Sequence, residues 1–132
     1  MRPARPADLP RHILVIEDDV DSRETMRLVL EGVGHRVDEA GDGQTGLEKL
    51  LALQPDIALI DVGLPDLDGY ELVRAARARP EGRDLYLVAL TGYSQPDDRR
   101  RAAEVGFDAV LSKPVNWVSL DDILATGFKT PF

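Results

Sequence analysis

The chain contains no cysteine, so disulfides, thiolate metal ligands and a cysteine nucleophile are all excluded, and a reducing compartment fits. Basic charge is in the minority: 16 Lys and Arg stand against 24 Asp and Glu, for a net charge of −8. Such a chain offers no electrostatic footprint for DNA or RNA phosphates and no attraction to an anionic membrane surface. Long apolar runs are also missing, and nothing approaches the roughly 20 residues of a membrane-spanning helix. Met1–Ala7 carries two arginines with no apolar stretch behind them, so it does not read as a signal peptide. The expectation is a cytoplasmic protein with neither nucleic acid nor membrane among its partners.

What remains is one domain's worth of chain. At 132 residues there is room for a single core and not for two, and no internal repeat is visible. The first eleven residues hold three prolines and no apolar period, which predicts a flexible lead over 1–11. Beyond it, short apolar runs alternate with helical spacings. Ile13-Leu14-Val15-Ile16 reads as a strand buried on both faces. Met26, Leu30 and Val33 follow at helical spacing, with Gly32 and Gly34 as the stop. His35 to Ala40 is a more polar strand, suited to a sheet edge. Asp42 caps a helix carrying Leu47, Leu50 and Leu51, which ends before Pro55.

Ile57-Ala58-Leu59-Ile60 is the third strand. Asp68 opens a helix with Leu72, Val73 and Ala76, ending near Pro80. Leu85 to Leu90 is the fourth strand, and Asp97 to Val105 a helix exposing Arg99, Arg100 and Arg101. Ala109-Val110-Leu111 is the fifth strand, and Ser119 with Asp122 marks the start of a short final helix through Leu124. Five strands alternating with five helices imply an α/β fold, a parallel sheet covered on both faces. Right-handed crossovers favour a doubly wound, flavodoxin-like sheet of order 2-1-3-4-5.

In such a sheet, ligands bind beyond the carboxyl ends of the strands, where the strand order reverses. Strand one ends in Glu17-Asp18-Asp19, strand three in Asp61, strand four in Thr91, and strand five runs into Ser112-Lys113-Pro114. Strands one and three are neighbours in this order, so their carboxylates converge. Converging carboxylates repel, and either a proton or a divalent cation relieves them. Oxygen ligands without His or Cys favour Mg²⁺ over zinc or copper. A single acid at a strand end is more often a helix cap, the reading given to Asp19 and Asp21. The coincidence on one sheet edge of acids, Thr91 and Lys113 is what a capping role leaves unexplained.

Those segments resemble the receiver domains of bacterial two-component response regulators, over roughly Arg11 to Leu124. The matching stretches are Ile13 to Asp19, Ala58 to Gly69, Ala89-Leu90-Thr91-Gly92 and Lys113-Pro114. The resemblance implies a receiver domain over 12–126 and a tail over 127–132. It implies Asp61 as phosphoacceptor, and Mg²⁺ held by Asp18, Asp61 and the Gly63 backbone carbonyl, with Glu17 acting through water. It also implies that Lys113 pairs with phosphoryl oxygens, that Thr91 moves toward them, and that the bond to Pro114 is cis. The expected partners are a histidine kinase or histidine phosphotransfer protein and an unnamed downstream protein, with the chain a monomer or weak dimer. A phosphoacceptor of this kind takes part in its own phosphorylation and slow dephosphorylation without being an enzyme in the usual sense.

The sequence departs from the family at Val110, where a Tyr or Phe is common, so the output movement must differ. Residues 106–115 resemble receivers attached to hybrid histidine kinases, so the chain is similar both to chemotaxis-type receivers and to excised hybrid-kinase receivers. Phe128 and Phe132 in the tail could cap the core or dock a partner. Two rival readings stand beside the switch: a pseudo-receiver that only docks, and a Rossmann-like nucleotide-binding protein using Gly41-x-Gly43-x-x-Gly46 with Asp61 as a ribose contact.

Overall fold

The computed structural model describes residues 10–92 and 96–126. Most of the expected lead, and the tail with Phe128 and Phe132, lie outside the described residues. The chain alternates strand and helix throughout: β1 His12–Ile16, α1 Val20–Gly32, β2 Arg36–Ala40, α2 Gly43–Leu53, β3 Ile57–Asp61 and α3 Gly69–Arg77. A 3₁₀ turn over Pro80–Gly82 leads into β4 Tyr86–Thr91, α4 Pro96–Val105, β5 Ala109–Ser112 and α5 Trp117–Thr126. Every strand pairing is parallel, and the order is β2-β1-β3-β4-β5, as the sequence predicts.

The strands read as unbroken apolar runs because successive side chains enter two different cores. Leu14, Ile16, Ala58 and Ile60 point to the side covered by α2 and α3, where Leu50, Leu72 and Val73 close over them. Ile13, Val15, Leu59 and Val88 point to the other side, against Met26 and Leu30 of α1 and Leu120 and Leu124 of α5. β2 lies at the edge and tolerates polar residues. There Glu39 meets Arg27 at 3.3 Å, and Asp38 meets His12 at 2.6 Å.

Local capping begins three of the helices as expected. Asp19, Asp42 and Asp68 each accept a bond from the backbone N–H three residues on, at Ser22, Thr45 and Glu71. Asp21 is not a cap; it sits in the first turn of α1, where its charge favours the helix dipole.

Beyond one-residue shifts at the ends of β2, β4 and α4, two features differ from the sequence reading. The final helix starts at Trp117 rather than Ser119, because the Asn116 side chain accepts from the N–H groups of Val118 and Ser119. Val33 is not a core residue: it follows the last turn of α1 and is 53% exposed. Gly34, at φ +107°, then turns the chain so that His35 N–H reaches the Leu30 carbonyl at 3.1 Å.

Arg77 ties the amino-terminal end of the sheet together. Its guanidinium donates to the carbonyls of Gly82, Arg83, Leu85 and Gly106 and to the Asp108 carboxylate. Asp108 in turn accepts from the N–H of Leu87. Replacing Arg77 removes all of these hydrogen bonds, and the ion pair to Asp108, at once. Arg77→Leu is expected to cost about 2–4 kcal/mol in urea unfolding, and an unchanged midpoint would remove this role.

His35 supplies a pH term. Its ring is buried and Nδ1 accepts the Arg11 N–H at 3.0 Å, which fixes the neutral ring. Burial, helped by the charge of Arg11, holds its pKa below the ordinary 6.5. The unfolded chain therefore takes up this proton first. The His35 contribution to stability is complete above pH 6.5 and is lost as the pH falls through the lower folded value. Thermal unfolding of wild type and His35→Gln between pH 7.5 and 5 should show the acid-side loss reduced in the variant.

Candidate functional site

The parallel sheet brings five strand ends to one edge, and the candidate site residues stand there. Glu17 and Asp18 follow β1, where the Arg23 guanidinium holds the Glu17 carbonyl at 2.8 Å. Asp61 is the last residue of β3. Thr91 closes β4 one step beyond Leu90, the partner of Asp61 in the ladder. Lys113 leaves β5, its N–H bonded to the Thr91 carbonyl at 2.8 Å, and its bond to Pro114 is cis.

The structure brings these residues together. One carboxylate oxygen each from Glu17, Asp18 and Asp61 lies within 4.8 Å of the others. Lys113 Nζ reaches Glu17 Oε1 at 3.0 Å and Asp61 Oδ1 at 3.2 Å. Gly63 N–H donates to Asp61 Oδ1 at 3.0 Å, so that oxygen is held from two sides. Glu17 is 1% exposed, Asp61 7% and Thr91 4%, whereas Asp18 faces solvent. The Glu17 Oε2 atom is buried without a hydrogen-bond partner among the described residues. Val110 is half-buried in β5 and packs against the core cluster that α2 and α3 cover.

Three carboxylates and one ammonium cannot all be charged without strain. Burial pushes the Glu17 carboxyl up to about 7, the neighbouring Asp61 carboxylate adding to this and Lys113 opposing it. Burial acts on Asp61 in the same direction, but Glu17, the Gly63 N–H and Lys113 together outweigh it and hold Asp61 below the usual range. Burial alone would lower Lys113; its two acidic neighbours raise it instead. The pocket thus pushes the two acids in opposite directions, Glu17 toward its neutral form and Asp61 toward its ionised one.

An all-oxygen donor set with a buried orphan oxygen suits a hard divalent cation, and Mg²⁺ fits the chemistry of Glu17, Asp18 and Asp61.

The loop from Asp61 to α3 is fixed by close packing. A Cβ on Gly69 would lie 2.6 Å from Val62 Cα, and the Gly69 N–H bonds to the Val62 carbonyl at 3.1 Å. Asp66 is the residue whose role the sequence did not disclose. Its carboxylate accepts from the N–H groups of Gly43 and Gln44, at 2.8 and 3.0 Å, and these bonds hold its pKa down. Those are the groups a dinucleotide's phosphates would need at the start of α2. Gly43 and Gly46 are small for packing: a Cβ would meet the Leu67 carbonyl oxygen at 2.3 Å and Ile16 Cγ2 at 2.7 Å. The Gly-x-Gly-x-x-Gly pattern therefore has a structural explanation without a nucleotide.

Acids at the ends of β1 and β3, threonine at the end of β4 and lysine just after β5, on the carboxyl edge of a 2-1-3-4-5 sheet, define a receiver-type α/β domain. The family model for the response regulator receiver domain matches residues 13–125, and the chain belongs to that family. It is 38% identical over 108 residues to an uncharacterised 14.6 kDa protein of Leptolyngbya boryana, covering 82% of each chain. Chemotaxis protein CheY4 of Vibrio cholerae superposes with a TM-score of 0.84 at 26% identity, over 91% of this chain and 100% of that one. The receiver domain of sensor histidine kinase PA1611 from Pseudomonas aeruginosa gives 0.82 at 30% identity, over 90% of this chain and 98% of the other. In that structure a magnesium ion is coordinated in the active-site cleft. Other curated relatives are longer, and the chain spans 14% to 49% of their length. The chain is a receiver domain of two-component signalling, a family that pairs with histidine kinases. No described helix is long and apolar enough to cross a membrane.

The raised Glu17 carboxyl has a readout. In metal-free protein the Glu17 carboxyl carbon should titrate near pH 7 by ¹³C NMR, and higher in Lys113→Met. With the folded pKa above the ordinary 4.5, Glu17 adds stability as the pH falls from about 7 toward 4.5, opposite in sign to His35. A Glu17 carboxyl that titrates below pH 5 in the metal-free protein would refute the assignment.

Proposed function

We propose that the domain is a phosphoryl-accepting switch in which Asp61 takes a phosphoryl group from a phosphohistidine donor. The observation that carries this is the geometry of the pocket: Asp61 stands beside Glu17 and Asp18 at the carboxyl edge, and its Oδ1 is gripped by Lys113 and Gly63 N–H. That grip presents Oδ2 as the attacking atom. A bond forms from Oδ2 to phosphorus as the donor's P–N bond breaks, and the leaving imidazole nitrogen takes a proton. Asp18, Asp61 and the Gly63 carbonyl would hold Mg²⁺, with Glu17 acting through water; the ion supplies charge screening between the carboxylate and the incoming phosphoryl group.

Lys113 changes partners in this reading. Before transfer it bridges Glu17 and Asp61; afterwards it pairs with a phosphoryl oxygen. Thr91 supplies a hydroxyl at the edge of the pocket, suited to donate to another. The added charge of about −1.5 to −2 biases an equilibrium between two arrangements of the face made by α4, β5 and α5. The receiver unit is assigned to residues 12–126, and its partners to a histidine kinase or phosphotransfer protein and a protein target. Intact Glu17, Asp18, Asp61, Thr91 and Lys113 favour this over a docking module that is never phosphorylated.

Incubation with a small-molecule phosphodonor and Mg²⁺, followed by intact mass, tests the proposal. Wild type should gain one labile phosphoryl group. Asp61→Asn should gain none, nor should wild type with excess chelator. Lys113→Ala should label at least roughly tenfold more slowly. Equal labelling of wild type and Asp61→Asn would sink the reading.

A further inference from the structure

We infer that the Arg101 guanidinium, stacked on the ring of Tyr70, is a latch that holds α4 in the resting domain and is released when Asp61 is phosphorylated. The release step rests on the phosphoacceptor reading of Asp61; the latch itself does not.

α4 is weakly anchored. Of its described residues only Ala102 and Val105 are buried, and both side chains are small. α3, by comparison, buries Leu72, Val73 and Ala76 beside its first glycine. Three consecutive arginines follow the acidic first turn of α4. Arg100 pairs with Asp97 on the same helix, so that bond does not tie α4 to another element. Arg101 reaches across to α3, its guanidinium carbon 4.2 Å from the centre of the Tyr70 ring. The Tyr70 ring also meets Phe107 edge-on, at 6.2 Å and 80°. Phe107 is buried just after α4, and its N–H bonds to the Ala102 carbonyl. One aromatic ring therefore braces the second half of α4 and the turn that follows it.

Tyr70 is also tied by its backbone to the phosphoacceptor loop. It is the residue after Gly69, whose N–H is bonded to the Val62 carbonyl and whose missing Cβ lets the two backbones touch. A shift of the backbone at Asp61-Val62 has no slack before it reaches the first turn of α3. The other route from the site to this face is β5, where Val110 packs against the same cluster as Tyr70 but has no ring to turn. Arg101 is exposed, so the contact is weak enough to break and return.

Amide hydrogen exchange on the full chain decides between this and a passive contact. In unphosphorylated protein, Arg101→Gln should raise exchange of the amides of residues 101–105 by about two- to fivefold, the range of an exposed cation–π contact. Arg99→Gln, which removes the same charge from the same helix, should leave them unchanged, and Arg101→Lys should restore part of the protection. Phosphorylated wild type should show the faster exchange, and phosphorylation of Arg101→Gln should add nothing further. Unchanged exchange in Arg101→Gln, or an equal effect from Arg99→Gln, would overturn the latch. Wild type that gains the phosphoryl mass without faster exchange in α4 would overturn the release step and leave Asp61 as phosphoacceptor. Wild type that gains no mass would overturn the phosphoacceptor reading and the release step together, with the comparison of Arg101→Gln and Arg99→Gln still judging the latch.

Discussion

The ammonium of Lys113 between two buried carboxylates is the interaction on which the functional end of this molecule depends. Two like charges 4 Å apart repel by about 4 kcal/mol at an effective dielectric constant near 20. A third acid stands at the rim. Without a cation the pocket could be relieved only by protonating its acids or by opening. Lys113 comes from β5, Asp61 from β3 and Glu17 from β1, so the compensation works only while three strands keep their relative positions. The sheet is therefore part of the electrostatics of the site as well as its support.

Parallel pairing makes that arrangement possible. With every strand running the same way, all five carboxyl ends meet at one edge, and the right-handed crossovers keep β1 beside β3. Helices cover both faces and leave that edge open. The interior residues of β1, β3 and β4 are close to fully buried, so displacement inside the sheet is costly. Movement is cheaper at the periphery, and α4, with two small buried residues, is a low-cost element. For the proposed switch, a rigid charged pocket and a loosely held helix would be a plain physical basis: a perturbation would arise where the structure cannot yield and appear where it can.

Much of this was legible from residue order. Apolar runs in β1, β3 and β4 could only belong to strands covered on both sides, and the edge position of β2 followed from its charges. Asp19, Asp42 and Asp68 were readable as caps because a cap and its partner lie three residues apart. The site was legible for the same reason in reverse: acids, threonine and lysine each sit next to an apolar run, so placing the strands placed the residues. What sequence could not display were contacts between positions far apart. Asp66 bonds to backbone 23 residues earlier, and Arg77 reaches Gly106 and Asp108. At Asn116 a local signal was present, but the competing pair Ser119 and Asp122 obscured it. Val33 failed because spacing alone does not say where a helix stops.

Asp66 and the decoy glycines show how two anion sites on one edge are kept apart. The start of α2 offers backbone N–H groups to any negative group, and a phosphate would bind there if nothing else did. The domain fills that position with its own carboxylate. Asp66 takes the N–H groups of Gly43 and Gln44, while the Leu67 carbonyl packs against Gly43 so closely that no side chain fits. The same loop carries Gly63 and begins at Asp61. One segment thus closes the competing phosphate site and shapes the acidic one. On the proposed reading, an incoming phosphoryl group would be drawn to Lys113 at the acidic site and turned away from the start of α2 by Asp66.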